Sequence, residues 1–316
     1  MPQPSFPARV EITEVGPRDG LQNEPDWIPT ERKVSLIEGL IGAGLRHLEI
    51  TSFVSPRAVP QMRDAAEIVA ALLRHAPEVE LTALVPNPAG AERAAAAGVG
   101  AMVVFMSASE SHNLKNVNRS REASLEGFRA IAEVAGRAGI PVHGAIATSF
   151  GCPFEGAVPA GEVVRIARAY RDMGIRRISL GDTTGMATPP VVAALCRALR
   201  AELPEVDLAL HFHNTRGLGL VCVQAGLAEG VRRYESSVGG LGGCPFVPNA
   251  TGNIATEDLV YLLEEQGIET KIDLARLIAV AAEAEAIVGR PLPGQVMKAG
   301  PRLRRHPLDA ARTAHG

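Results

Sequence analysis

Along this chain, short runs with alternating or continuous apolar positions take turns with longer stretches in which apolar residues recur every three to four positions. Residues 10–15 alternate apolar and polar before a Gly-Pro turn, and residues 31–43 carry helical spacing that stops at Gly44. The pair recurs as 47–51 with 61–75, as 80–85 with the alanine-rich 89–97 ending at Gly98, and as 101–105 with 121–138 across a polar loop at 107–119. Four more units follow: 141–148 with 159–173, 177–181 with 189–203, 208–213 with 217–229, and 233–238 with 257–266. Eight strand-helix units close most naturally into an α/β (β/α)8 TIM barrel, because each crossover buries an apolar helix face against a parallel sheet. A doubly wound open sheet is the alternative. The pattern makes one domain, with a core at about 10–268 and a helical appendage at about 269–316, helical over 273–288 and then broken by Gly and Pro. The end beyond Pro301, rich in Arg and His, is expected to fray.

Composition narrows the partners. Apolar residues make up 46% of 316, enough for a substantial core. A formal charge of -3 lacks the basic footprint of a nucleic-acid or membrane-surface protein, so neither partner is expected. Cys152, Cys196, Cys222 and Cys244 are too scattered for a disulfide framework, which fits a reducing cytoplasm. The N-terminus has no apolar core of signal-peptide length, and nothing later approaches the roughly eighteen continuous apolar residues of a membrane span.

Candidate chemistry gathers where a barrel keeps it, at the C-terminal ends of the strands and in the loops after them. His211 and His213 end the seventh strand and are spaced by one, so they share a face and can share a metal ion. The competing reading is two ordinary polar residues on a wet face. After the first strand, Arg18 and Asp19 set a cation beside a carboxylate that can serve as an oxygen ligand. Glu49 ends the second strand and Asp182 follows the sixth. The loop Gly239-Gly-Leu-Gly-Gly-Cys-Pro245 can bring backbone close to a ligand and leaves Cys244 exposed enough to react. The commoner fate of a cysteine, a small buried residue, is the alternative there, and the other three cysteines are read that way. Asn253 offers an amide oxygen as a further ligand, and Thr256-Glu257 reads as a plain helix start. His112, Lys115, Asn116 and Asn118 in the 107–119 loop could touch a bound ligand, with solvated surface as the default reading. No P-loop cradle occurs.

Taken together, Gly16-Pro-Arg-Asp-Gly-Leu-Gln-Asn-Glu24, Thr51-Ser-Phe-Val-Ser-Pro56, Ser179-Leu-Gly-Asp-Thr183, His211-x-His213 and the glycine loop through Ala255-Thr-Glu-Asp-Leu259 resemble the 3-hydroxy-3-methylglutaryl-CoA lyase family of the DRE-TIM metallolyase superfamily, over roughly 10–289. The resemblance implies a TIM barrel that cleaves a tertiary 3-hydroxyacyl-CoA to acetyl-CoA and a keto acid. It implies Asp19, His211, His213 and Asn253 as ligands of a divalent metal, Mg²⁺ or Mn²⁺, with Arg18 at the thioester carbonyl. Cys244 then takes part in proton transfer, Glu49 and Asp182 are acidic residues needed for turnover, and the assembly is a homodimer.

The chemistry asks for these groups. Breaking C2–C3 removes the C3 hydroxyl proton and places negative charge on a thioester enolate, which a metal and a fixed cation favour, and an acid must then protonate C2. Two departures bear on the substrate. His211-Phe-His-Asn-Thr-Arg-Gly217 stands where the family usually has His-x-His-Asp-Thr-Tyr-Gly, so Asn214 resembles the branch acting on α-keto acids and Arg216 is expected to add a cation near the metal. Pro25 replaces a frequent lysine. (R)-Citramalyl-CoA, giving pyruvate, is therefore the leading alternative substrate. A Claisen-type acyltransferase and a non-catalytic barrel stand behind it.

Overall fold

The computed structural model describes residues 6–243 and 251–305. Parallel strands close into one barrel in chain order. They are β1 (Glu11–Glu14), β2 (His47–Ser52), β3 (Glu80–Leu84) and β4 (Ala101–Ser107), then β5 (Val142–Ala147), β6 (Arg177–Asp182), β7 (Asp207–Phe212) and β8 (Arg233–Ser236). β1 pairs with β8, Glu14 opposite Ser236, which seals the sheet and leaves no edge. The helices α1 (Thr30–Gly42), α2 (Ala65–Leu72) and α3 (Pro88–Ala97) follow the first three strands. α4 (Glu110–Val117) and α5 (Arg121–Ala138) follow β4, and α6 (Ala160–Asp172), α7 (Pro189–Glu202), α8 (Gly219–Ala228) and α9 (Thr256–Glu265) follow the rest. No helix among the described residues is long and apolar enough to cross a membrane.

Local chemistry sets the helix ends. Side-chain oxygens of Asn87, Ser120 and Asp273 accept backbone N–H groups in the first turns of α3, α5 and of α10 (Leu274–Val288). Gly98 and Gly139, at φ of 83° and 67°, stop α3 and α5 in the left-handed conformation that glycine takes most readily. α5 then buries Leu125, Phe128, Ile131 and Val134 on one stripe toward the sheet. Beyond the barrel, α10 lies against α1, where Ser35 donates to Glu283 at 3.0 Å and Gly39 leaves room for Val280; α11 (Val296–Ala299) follows.

Three elements differ from the sequence pattern. The polar loop expected at 107–119 contains α4, stabilised by the Ser109 cap on His112 N–H and by Asn118 in the left-handed region. Its buried residues are the polar His112 and Asn113, so no apolar stripe announces it. The helix expected at 61–75 splits into a tight turn at Pro60–Met62, α2, and a second turn at Leu73–His75. The helix expected from 217 starts at Gly219.

The barrel interior positions the site. At the strand starts the inward residues are Glu11, His47, Glu80, His143, Arg177, Asp207 and Arg233, from every strand but β4, and they form one ionic network. Two residues further along, the inward positions include Thr13, Thr82, Val103, Ala145, Ser179 and Ala209. Barrels usually fill this level with bulky branched side chains. Here the small residues leave a cavity of about 590 Å³ that reaches from the ionic ring to the mouth.

Candidate active site

The first piece of the mouth is a π-helical turn at Gly16–Gly20, directly after β1. The backbone N–H groups of Arg18, Asp19 and Gly20 all point to the Val15 carbonyl, at 3.1, 2.7 and 3.3 Å, which throws both side chains over the barrel axis. Gly16 has no room for a side chain, since a Cβ there would lie 2.6 Å from Glu14 Oε1. Arg18 forks onto Glu49 of β2, Nε to Oε1 at 2.7 Å and Nη2 to Oε2 at 3.0 Å, and its Nη1 donates to Asp19 Oδ1 at 3.0 Å. Burial alone would lower the Arg18 pKa, but the Glu49 and Asp19 carboxylates hold it above the ordinary value.

Asp19 is gripped from three sides. Gln22 Nε2 donates to Oδ1 at 3.0 Å and Asn253 Nδ2 to Oδ2 at 2.8 Å, beside the Arg18 contact. Burial would raise its carboxyl, yet Arg18, both histidines and Asn253 bring it down to about 2. His211, on β7, donates from Nδ1 to Glu235 Oε2 on β8 at 3.0 Å. His213, just past β7, is bridged to Asn253 along the backbone. Its ring is pushed down to about 4 by burial and by His211, which favours the neutral form. The two Nε2 atoms stand 3.1 Å apart, and His213 Nε2 is 3.9 Å from Asp19 Oδ2.

This geometry asks for a cation. Asp19, His211 and His213 each present one donor atom, all within 4.8 Å of one another. Two imidazole nitrogens at hydrogen-bond distance need either a proton or a shared ion between them. The Asn253 Oδ1 atom is buried without a hydrogen-bond partner, and turning the amide would aim that oxygen where Nδ2 now faces Asp19. A carboxylate, two imidazoles and an amide oxygen suit a divalent metal.

Two other segments close the mouth. Gly239, Gly240 and Gly242 lie at φ of 65°, 73° and 117°, and a Cβ on Gly239 would meet Leu292 at 2.4 Å, one on Gly242 the Asn253 amide at 2.8 Å. Glycine is thus required where this loop threads past the ligands. Cys244 lies outside the described residues. Beneath the loop, Glu14 accepts from Val238 N–H at 2.9 Å and from the Thr256 hydroxyl at 2.6 Å, while Glu257 accepts from Gly239 N–H at 3.0 Å.

The structure thus brings Arg18, Asp19, Glu49, His211 and His213 to one cavity, with Asn253 beside them. Asp182 is not among the residues lining that cavity. Its Oδ1 accepts Met186 N–H at 2.7 Å and Ala187 N–H at 2.9 Å, and burial pushes its carboxyl up to about 7. Arg216, expected near the metal, instead donates from Nη1 to the Thr184 and Gly185 carbonyls at 2.8 Å each, because the tight turn after His213 points it at the loop following β6. Asn214 is exposed and accepts Gly219 N–H at 3.2 Å, at the start of α8. Cys152, Cys196 and Cys222 are buried free thiols. Sequence reasoning missed Glu235 and Gln22, and gave Glu257 only a helix-start role. Glu235 had a signal, an acidic residue at an inward position on the strand next to His211; Gln22 and Glu257 had none.

Comparison with known proteins follows the same lines. The HMGL-like family model matches residues 9–283. A hydroxymethylglutaryl-CoA lyase of Bacillus subtilis is 44% identical, the match covering 92% of this chain and 97% of that one. An (R)-citramalyl-CoA lyase of Chloroflexus aurantiacus is 45% identical over 92% of this chain and 95% of its own. Among solved structures, an HMG-CoA lyase from Acinetobacter baumannii, in complex with coenzyme A and 3-methylmalate, superposes with a TM-score of 0.91 at 44% identity, covering 97% of this chain and all of that one. Closed barrel, clustered donors and full-length likeness agree: this chain belongs to the HMGL-like family and is a carbon–carbon lyase.

Proposed function

We propose that the chain cleaves a tertiary 3-hydroxyacyl-CoA of the HMG-CoA type to acetyl-CoA and a keto acid, acetoacetate for HMG-CoA itself, with a divalent cation at the barrel mouth. The observation that carries this reading is the convergence of Asp19, His211 and His213 donors beside the guanidinium of Arg18. In this reading residues 10–268 form the catalytic core and the C-terminal helices cap it.

Asp19, His211, His213 and Asn253 would hold the cation, a divalent ion by their oxygen and imidazole donors and Mg²⁺ or Mn²⁺ by the family resemblance. When bound, the cation would supply Lewis acidity at the substrate's C3 hydroxyl. The hydroxyl proton passes to a base at the mouth, the C3–O bond becomes the ketone carbonyl as the C2–C3 electron pair moves onto the thioester as an enolate, and C2 then takes a proton. Arg18 would face the thioester oxygen as that charge develops, and the Glu49 fork would fix the guanidinium before the substrate arrives. Asp182 would act by holding the 183–187 loop at the rim, through the two backbone N–H groups it accepts. Cys244 is proposed as the donor to C2, on sequence grounds. A homodimer is proposed by family analogy, to be checked by native mass.

(R)-Citramalyl-CoA is kept as a second substrate because a relative 45% identical bears that activity in its name. Purified enzyme supplied with Mg²⁺ or Mn²⁺ and each thioester in turn decides between them by acetyl-CoA release. Turnover of HMG-CoA, abolished by a chelator, is expected; turnover of citramalyl-CoA alone would replace the first substrate, and chelator-resistant turnover would remove the cation from the reading.

A further inference from the structure

One carboxylate touching the metal-ligand cluster has no role in the chemistry described so far. Glu235 of β8 stands opposite His211 of β7 in the parallel register, inward on its strand and 19% exposed at the side chain. Its Oε2 accepts the His211 Nδ1–H at 3.0 Å, and the Ser179 hydroxyl of β6 is near enough to favour the charged form of the same carboxylate. A proton held on Nδ1 leaves Nε2 as a lone pair. That Nε2 is the atom 3.1 Å from His213 Nε2, at the point the ligand donors share. His213 has no such anchor, since its Nδ1 is buried without a partner and its place is set by the backbone bridge to Asn253. The two imidazoles are therefore held by different means, and only one is oriented by a charge.

We infer that Glu235 is a positioning residue for the cation site: by accepting the hydrogen bond from His211 Nδ1–H it fixes the tautomer and the ring so that Nε2 meets a divalent ion together with Asp19 and His213. This rests on the cation site proposed above. A carboxylate behind a ligating histidine also makes the ring a better electron donor, and loss of such partners weakens metal binding by about 10- to 100-fold. Aspartate, one methylene shorter, keeps the charge but reaches less far across the strand pair. Glutamine keeps an acceptor and loses the charge.

The test is a calorimetric titration of Mn²⁺ into the metal-free chain without substrate, for the parent, Glu235→Gln, Glu235→Asp and Asp19→Asn, each checked for an unchanged circular dichroism spectrum. Glu235→Gln is expected to bind Mn²⁺ about 10- to 100-fold more weakly, with Glu235→Asp between it and the parent. Excess Mn²⁺ should restore much of the Glu235→Gln turnover, which mere packing damage would not allow. Parent-like Mn²⁺ affinity in Glu235→Gln, with affinity lost in Asp19→Asn, overturns the positioning role and leaves the cation site standing. Parent-like affinity in Asp19→Asn overturns the cation site itself and this inference with it. If Glu235→Gln does not fold, Ser179→Ala, which removes the hydroxyl that favours that carboxylate's charge, is expected to weaken Mn²⁺ binding by a smaller factor, and unchanged affinity there counts against the inference.

Discussion

Glu14 is the buried carboxyl from which both site-bearing segments hang, and its titration should be visible in the stability of the whole chain. It is 0% exposed, and it accepts Gly16 N–H at 2.7 Å, Val238 N–H at 2.9 Å and the Thr256 hydroxyl at 2.6 Å. Burial pushes the carboxyl from 4.5 up to about 7, against the three hydrogen bonds that favour its charged form. A carboxyl raised in the folded chain still carries a proton that the unfolded chain has released. Folding stability therefore falls as pH rises from about 4.5 to about 7; the contribution is fully present below the unfolded value and gone above the folded one. At about 1.4 kcal/mol per pH unit, that interval amounts to roughly 3 kcal/mol.

Glu14→Gln removes the titration while keeping an acceptor oxygen for Gly16 and Val238. Its amide would face the Thr256 hydroxyl, which already accepts from Ser236 at 2.9 Å and has a lone pair to offer. Urea unfolding of both chains at pH 5 and pH 8 is the assay. The glutamine chain should match the parent near pH 5 and exceed it by up to about 3 kcal/mol at pH 8. Taking the difference between chains cancels Asp182, whose carboxyl burial raises to about 7 in both, while Glu257, raised to about 8 by burial with a further push from Glu14, titrates at the upper end of the window. A difference that stays flat from pH 5 to pH 8, or a glutamine chain that grows weaker toward pH 8, would refute the reasoning, since either means that the folded chain does not resist ionising this group.

Three shorter expectations go with it. Arg18→Lys cannot fork onto Glu49 and should lower kcat by about 10²- to 10³-fold while leaving Mn²⁺ affinity nearly intact; parent-like turnover would remove Arg18 from the enolate. Glu80→Gln should cost about 1 kcal/mol at pH 7, discounted for the partial exposure of the ionic ring. Partner hydrogen bonds and charges hold the Glu80 carboxyl below its usual range despite burial, so its contribution is present above about pH 4.5 and lost as pH falls; urea midpoints of the two chains should converge toward pH 3, and a constant gap would exclude the ring. Cys244→Ser should cut turnover by at least about 10²-fold and spare Mn²⁺ binding, and unchanged turnover would exclude the thiol.

Much of this arrangement was legible in the residues because two periodicities carry it. Period two along β7 put His211 and His213 on one face, and the alternation of strands with amphipathic helices placed Asp19, in the turn after β1, at the same mouth. What escaped notice obeys other rules. α4 is held by a serine cap, a left-handed asparagine and buried polar side chains, none of which makes an apolar stripe. Asp182 follows β6 as expected, yet backbone donors four and five residues later capture its carboxyl. Glu257 begins a helix and also reaches Gly239, a contact set by how α9 docks under the glycine loop and by nothing local.

The polar interior follows from the mouth. A cation and an arginine at the strand ends require carboxylates next to them, and those carboxylates lie on neighbouring strands at the same level: Glu49 on β2 for Arg18, Glu235 on β8 for His211. Once charge is buried there, apolar replacement of one partner strands the other, which costs about 3–5 kcal/mol where the pair is fully desolvated. Period two then carries each inward face down to the ionic ring, where Glu11, His47, Glu80, Arg177 and Arg233 already satisfy one another. The other inward positions one step above that ring, Thr13, Thr82, Val103, Ala145, Ser179 and Ala209, carry no charge that needs a partner, so small residues are tolerated there, and the cavity that the substrate needs is what they leave.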